Sequence, residues 1–95
     1  MRMFLRVKME VEAANRAIKD GTLSKVVQGF MDTAKPEGIW FTAQDGKRCM
    51  VAVFDLAEPA RIPKLAEPFF MGVGASFEIS PAMSLPDLQA GLSGI

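Results

Sequence analysis

Arg6, Lys8 and Glu78 are the side chains whose types and spacing come nearest to chemistry in this chain. Arg6 and Lys8 stand two residues apart in an alternating segment, so as part of a strand they share one face. Glu78 holds the equivalent parity in a second alternating segment, Val73 to Ser80. With those two strands adjacent, two cations and a carboxylate meet on the sheet face away from the helices. Such a trio can orient an anionic or carbonyl-bearing small molecule, and a desolvated Glu78 can serve as a general base. The purely structural alternative is a set of cross-strand ion pairs at an interface or sheet rim, worth about 0.2–1 kcal/mol each. Trp40 and Thr42, again two apart, are candidates for the wall of the same cavity, since an amphipathic aromatic beside a hydroxyl suits a planar ligand. The competing assignment for Trp40 is a filler of core or interface.

Missing residue types narrow the chemistry further. The chain has no histidine, no tyrosine and one cysteine, Cys49. Histidine-based triads are excluded, and neither zinc nor an axially ligated haem has a ligand set, so no metal and no cofactor are expected. The cation nearest Cys49 in sequence is Arg48, which alternation sends to the other face, so Cys49 reads as a structural thiol of an intracellular protein. Eleven basic and eleven acidic residues cancel and no basic run exceeds two, which leaves no electrostatic source for nucleic-acid binding. Gly72-Val73-Gly74 falls at a helix end, the wrong polarity for an anion. Charges interrupt the N-terminal segment and no apolar run nears the roughly 20 residues that span a bilayer, so a soluble, cytoplasmic chain without membrane association is expected.

The elements that must position these residues follow from hydrophobic period. Met3, Leu5, Val7, Met9 and Val11 alternate with Arg2, Phe4, Arg6, Lys8 and Glu10, a strand whose odd face packs on helices. Residues 13–34 carry a helical stripe interrupted at Gly21, a kink or a break with Thr22 capping a fresh start, and Lys35-Pro36 ends it. Two strands, 38–44 and 47–55, flank Asp45-Gly46, the pair that a two-residue type I′ turn demands. That turn sets Gln44 opposite Lys47, Thr42 opposite Cys49 and Trp40 opposite Val51. The more polar face, Trp40, Thr42, Cys49 and Val51, is assigned away from the helices; Ile39, Phe41, Met50, Ala52 and Phe54 are assigned to them. Residues 55–70 predict a helix broken at Pro68 and ending at Gly72, followed by the fourth strand. Ser84-Leu85-Pro86-Asp87 predicts a capped terminal helix running to about Gly91.

The whole chain, residues 1–95, is therefore one α+β domain with the order strand, helix, strand, strand, helix, strand and a short C-terminal helix. That is the ferredoxin-like βαββαβ pattern, for which right-handed crossovers predict an antiparallel sheet of order 4-1-3-2 with the helices on one face. Asn15–Gly21, Lys35–Thr42, Asp55-Leu56 with Ile62-Pro63, Ala66–Phe70 and Glu78–Pro81 through Asp87-Leu88 resemble a family of small bacterial proteins described as a domain of unknown function. In fold that family is similar to the dimeric α+β barrel superfamily, which includes muconolactone isomerase, antibiotic-biosynthesis monooxygenases and chlorite-dismutase-like haem proteins. The resemblance implies a homodimer whose two sheets face each other around a ligand-sized cavity; the haem-binding members rely on a histidine that this chain lacks. The expected function is binding of a small organic ligand between the sheets. The alternatives are a cofactor-independent isomerase or monooxygenase, and a module whose sheet face serves only dimerisation or another interaction. The candidate binding residues are Arg6, Lys8, Trp40, Thr42 and Glu78.

Overall fold

Odd-numbered side chains of the first strand are buried and even-numbered ones are not, which divides the molecule into a covered and an open sheet face. The computed structural model describes residues 1–95. Its elements are β1 (Arg2–Lys8), α1 (Val11–Asp20), α2 (Thr22–Ala34), β2 (Gly38–Gln44), β3 (Lys47–Asp55), α3 (Ile62–Val73), β4 (Ser76–Pro81) and α4 (Leu85–Leu92), with one turn of 3-10 helix, Pro59–Arg61, leading into α3. The four strands form an antiparallel sheet in the order β2-β3-β1-β4, which counted from the β4 edge is 4-1-3-2. A four-stranded antiparallel sheet with four helices makes the protein α+β, and the arrangement is compatible with a ferredoxin-like topology.

The hairpin turn carries Asp45 at φ 55° and Gly46 at φ 75°, the two positive φ values of a type I′ turn. The register that follows is Gln44 to Lys47, Thr42 to Cys49 and Trp40 to Val51. On the covered face, Met3, Leu5, Val7, Met50, Ala52 and Phe54 pack against Ala14 and Ala17 of α1, Phe30 of α2, and Leu65, Phe69 and Val73 of α3. Phe30 holds the middle of this layer, edge-on to Phe54 at 5.7 Å and to Phe69 at 5.9 Å between ring centroids. The small residues Ala14 and Ala17 let α1 approach the sheet closely while both stay buried.

Several boundaries depart from expectation, each for a physical reason. The first strand stops at Lys8, and Val11, counted above on its core face, is instead the exposed first residue of α1. At the α1–α2 break, Gly21 takes φ 83° and the Asp20 carboxylate accepts the Thr22 backbone N–H at 2.9 Å, so Asp20 rather than the Thr22 hydroxyl serves the junction. Hydrogen bonding from Thr22 holds the exposed Asp20 carboxyl below its usual range.

Pro68 does not break α3. It lies on the exposed side of that helix, where water can serve the carbonyl left without a donor. Gly72 is not a cap but an interior residue, and a Cβ there would sit 3.1 Å from Val26 Cγ2, so its smallness serves the α2–α3 contact. Gly74, at φ 57°, ends the helix, and its N–H donates to the Phe69 carbonyl. Val73, read above as the start of the fourth strand, is the buried last residue of α3. Because an L side chain is strained at positive φ, Gly74→Ala is expected to cost about 1 kcal/mol, read as a lower urea midpoint with unchanged slope. An unchanged midpoint would show that the cap geometry is not required.

Phe41 shares the covered face by register yet is 59% exposed. It sits on edge strand β2, beyond the helix layer, beside a hollow of about 140 Å³ bounded by Leu23 and Met9. No helix is long and apolar enough to cross a membrane.

Candidate functional site

Strand pairing sets the open face in rows. Trp40, Val51, Arg6 and Glu78 form one row across the sheet; Thr42, Cys49, Lys8 and Ser76 form the next, and Gly38, Val53, Phe4 and Ser80 lie on the other side. Arg6 and Glu78 are directly opposed on neighbouring strands, whereas Trp40 reaches the same row from two strands away. The tight hairpin turn and the antiparallel registers thus bring Arg6, Glu78 and Trp40 into line.

Around Arg6 the face dips into a hollow of about 220 Å³ lined by Phe4, Arg6, Glu78, Ile79 and Ser80. The guanidinium carbon lies 5.5 Å from the centre of the Phe4 ring, so the cation rests against an aromatic face. Arg6 Nε is buried and has no acceptor in the chain. An unpaired donor in such a position ordinarily costs about 1–3 kcal/mol, and most native donors avoid it. Arg6 takes no part in any ion pair of the structure, although Glu78 stands opposite. The other strand cations of this face are engaged: Arg2 with Glu37 at 2.7 Å, Lys8 with Asp45 at 3.1 Å, and Lys47 with Glu10 at 3.0 Å. Arg6 is left as the cation of the face with bonding capacity to spare.

The other sequence candidates divide. Glu78 lies at the hollow and is exposed in the single chain. Lys8 shares the face, but its ammonium turns toward the Asp45 carboxylate of the hairpin turn and away from Arg6's task. Trp40 is 58% exposed, and its indole folds back over Gly38, where a Cβ would collide with the ring. Thr42 is exposed one row away and does not line the Arg6 hollow. Cys49 is 1% exposed, with its thiol 3.7 Å from Gln44 Oε1, in keeping with a structural role.

Two contributions were not read from the sequence: Phe4 as the shelf under the guanidinium, and Ser80 as a wall of the hollow. Parity held the signal, since Phe4 is two residues before Arg6 and Ser80 two after Glu78. A larger hollow, about 380 Å³, opens between α2 and α3 around Lys25, Phe30, Lys64 and Leu65, and includes none of the candidate residues. No three acidic, histidine or cysteine side chains converge as a metal-binding set.

The site is therefore that of an α+β sheet protein offering a guanidinium on an open face. Neither the family models nor the curated proteins include a match to this chain.

Proposed function

We propose that the chain forms a homodimer by packing its open sheet faces together, in the manner of dimeric α+β barrel proteins, and binds a small organic anion or carbonyl compound at Arg6 between the sheets. The observation that carries this reading is the buried, unpaired Nε of Arg6 inside a hollow on an otherwise uncovered sheet. Phe4, Trp40, Val51 and Val53 give that sheet an apolar surface of the kind that soluble proteins cover. A planar carboxylate suits the fork of the guanidinium, with aromatic surface from Phe4 and Trp40 on the same face. The resemblance of nearly the whole chain to a family of small bacterial proteins, similar in fold to the dimeric α+β barrel superfamily, agrees with it. The exposure of Glu78 in the single chain favours binding over catalysis as the primary role.

Benzoate is a suitable probe, joining a carboxylate to a planar ring. Titrated into the isotope-labelled protein, it is expected to shift the Arg6 side-chain Nε–H signal together with the amides of Glu78 and Ser80. Arg6→Gln should weaken that binding at least about tenfold, the loss of one charge-assisted bidentate contact. Perturbation elsewhere only, or full affinity in Arg6→Gln, would remove Arg6 as the anchor. Native mass spectrometry of the same sample reports stoichiometry and any retained small molecule.

A further inference from the structure

Two residues that helices disfavour meet in the wall of one hollow. Gly29 lies inside α2 and Pro68 inside α3, and both line the hollow of about 380 Å³ between those helices. Glycine and proline are the two residue types least favourable in a helix interior. Gly72 of α3 has a steric reason to be small, since a Cβ there would lie 3.1 Å from Val26 Cγ2. Gly29 has none in its own chain: a Cβ built on it meets nothing within 4 Å, and any longer side chain there would project into the hollow. Departures from local preference of this kind concentrate at functional sites.

The hollow has two ends of like charge and an apolar middle. A Cβ on Gly72 would touch Val26 and Thr22, so the end of α3 meets the start of α2. From there α3 runs back alongside α2, past Phe69, which stacks edge-on to Phe30 at 5.9 Å. Lys64, eight residues before Gly72, thus lies about 12 Å from it along the helix axis. Lys25 stands at the first end, in the turn between Thr22 and Val26, and Lys64 stands at the second. Between them the floor is Val26, half-buried, with Phe30 and Leu65, 3% and 5% exposed.

No acid lines this hollow, and neither lysine joins an ion pair. Asp20 lies within reach of the Lys25 charge, but its carboxylate accepts the Thr22 backbone N–H at 2.9 Å. Asp32 of α2 accepts the Gln28 side-chain amide at the same distance. A cation at each end of an apolar floor is complementary to a rod that carries an anion at each end. The volume falls within the roughly 300–1,000 Å³ of small-molecule sites.

We propose that the hollow between α2 and α3 binds a linear dicarboxylate, its two carboxylates at Lys25 and Lys64 and its methylene chain on Val26, Phe30 and Leu65. This site is separate from Arg6 and independent of the dimer, because the helix layer lies on the side of the sheet opposite the open face.

Suberate tests it, titrated at low salt into the isotope-labelled full chain, with octanoate as the comparison that lacks the second carboxylate. Suberate is expected to give saturable shifts in the amides of Lys25, Gly29 and Lys64, and to bind at least about threefold tighter than octanoate. Lys25→Met and Lys64→Met should each weaken suberate about threefold to fivefold, the worth of one exposed ion pair. Gly29→Leu should abolish binding by filling the hollow, while its urea midpoint stays at or above that of the wild type because leucine is the better helix former. Both lysines are exposed, so their variants carry the test even where Gly29→Leu does not fold. Octanoate binding as tightly as suberate overturns the two-ended site, as does unaltered suberate affinity in the lysine variants or in a folded Gly29→Leu. Suberate shifts confined to Arg6, Glu78 and Ser80, or no saturable shift at all, overturn it as well, the first by assigning the anion to the sheet face.

Discussion

Phe69→Ala is expected to lower stability by about 3–5 kcal/mol, whereas Phe70→Ala next to it costs about 1 kcal/mol. Phe69 is fully buried, edge-on to Phe30 and 6.2 Å from Phe77, with the sheet beneath. Truncation there removes the transfer free energy of the ring and leaves a cavity that Phe30, itself held by Phe54, cannot fill by swinging in. Phe70 is 43% exposed and meets Phe77 only at an edge, 6.1 Å between centroids, so its removal opens space to water and makes no void. For a domain whose total stability is about 5–15 kcal/mol, the first change is a large fraction of the whole. Urea unfolding of both variants checks this; equal losses would show that the aromatic layer is not the keystone of the covered face.

If the proposed face-to-face dimer forms, Val53→Asp is expected to convert it to a monomer while leaving the fold in place. Val53 lies on central strand β3 between Phe4 and Gly38, on the open face and opposite in parity to the core residues Ala52 and Phe54. A carboxylate at that point, facing a second sheet, loses its hydration, a cost of several kcal/mol per ion that a two-fold dimer incurs twice. The dimer dissociation constant should therefore rise at least about a hundredfold. In the separated protomer the same side chain meets water, and the expected loss of stability is the strand preference alone, about 1 kcal/mol. Light scattering and thermal unfolding read the two effects independently. A dimer of wild-type affinity in Val53→Asp would move the interface off this face.

Much of the site was legible because it depends on parity. Once β1 and β4 are known as strands whose apolar faces meet the helices, Arg6 and Glu78 share the open face, while the register that sets them directly opposite belongs to the tertiary structure. What parity cannot say is where a long side chain goes after leaving the backbone. Lys8 has the same parity as Arg6, yet its flexible stem carries the ammonium to Asp45, a residue brought near by the hairpin and distant in sequence. Arg6 stays in place because Phe4 offers its ring as a shelf, so the two cations, equivalent on paper, end with different roles. Trp40 likewise keeps its row but turns its indole onto Gly38.

The sequence by itself determined the features governed by a few neighbouring residues. Asp45-Gly46 dictates the turn and with it the hairpin register, because only that turn satisfies two consecutive positive φ values there. Ser84 and Asp87 dictate the start of α4 through bonds that close within four residues. Only the tertiary structure decided which of Phe69 and Phe70 is core, that α3 passes through Pro68 and ends at Gly74, and that Gly72 serves a helix contact. It also left Phe41 outside the helix layer. Each of those outcomes turns on which element lies over which, a matter of contacts between residues far apart in the chain, and no local preference encodes it.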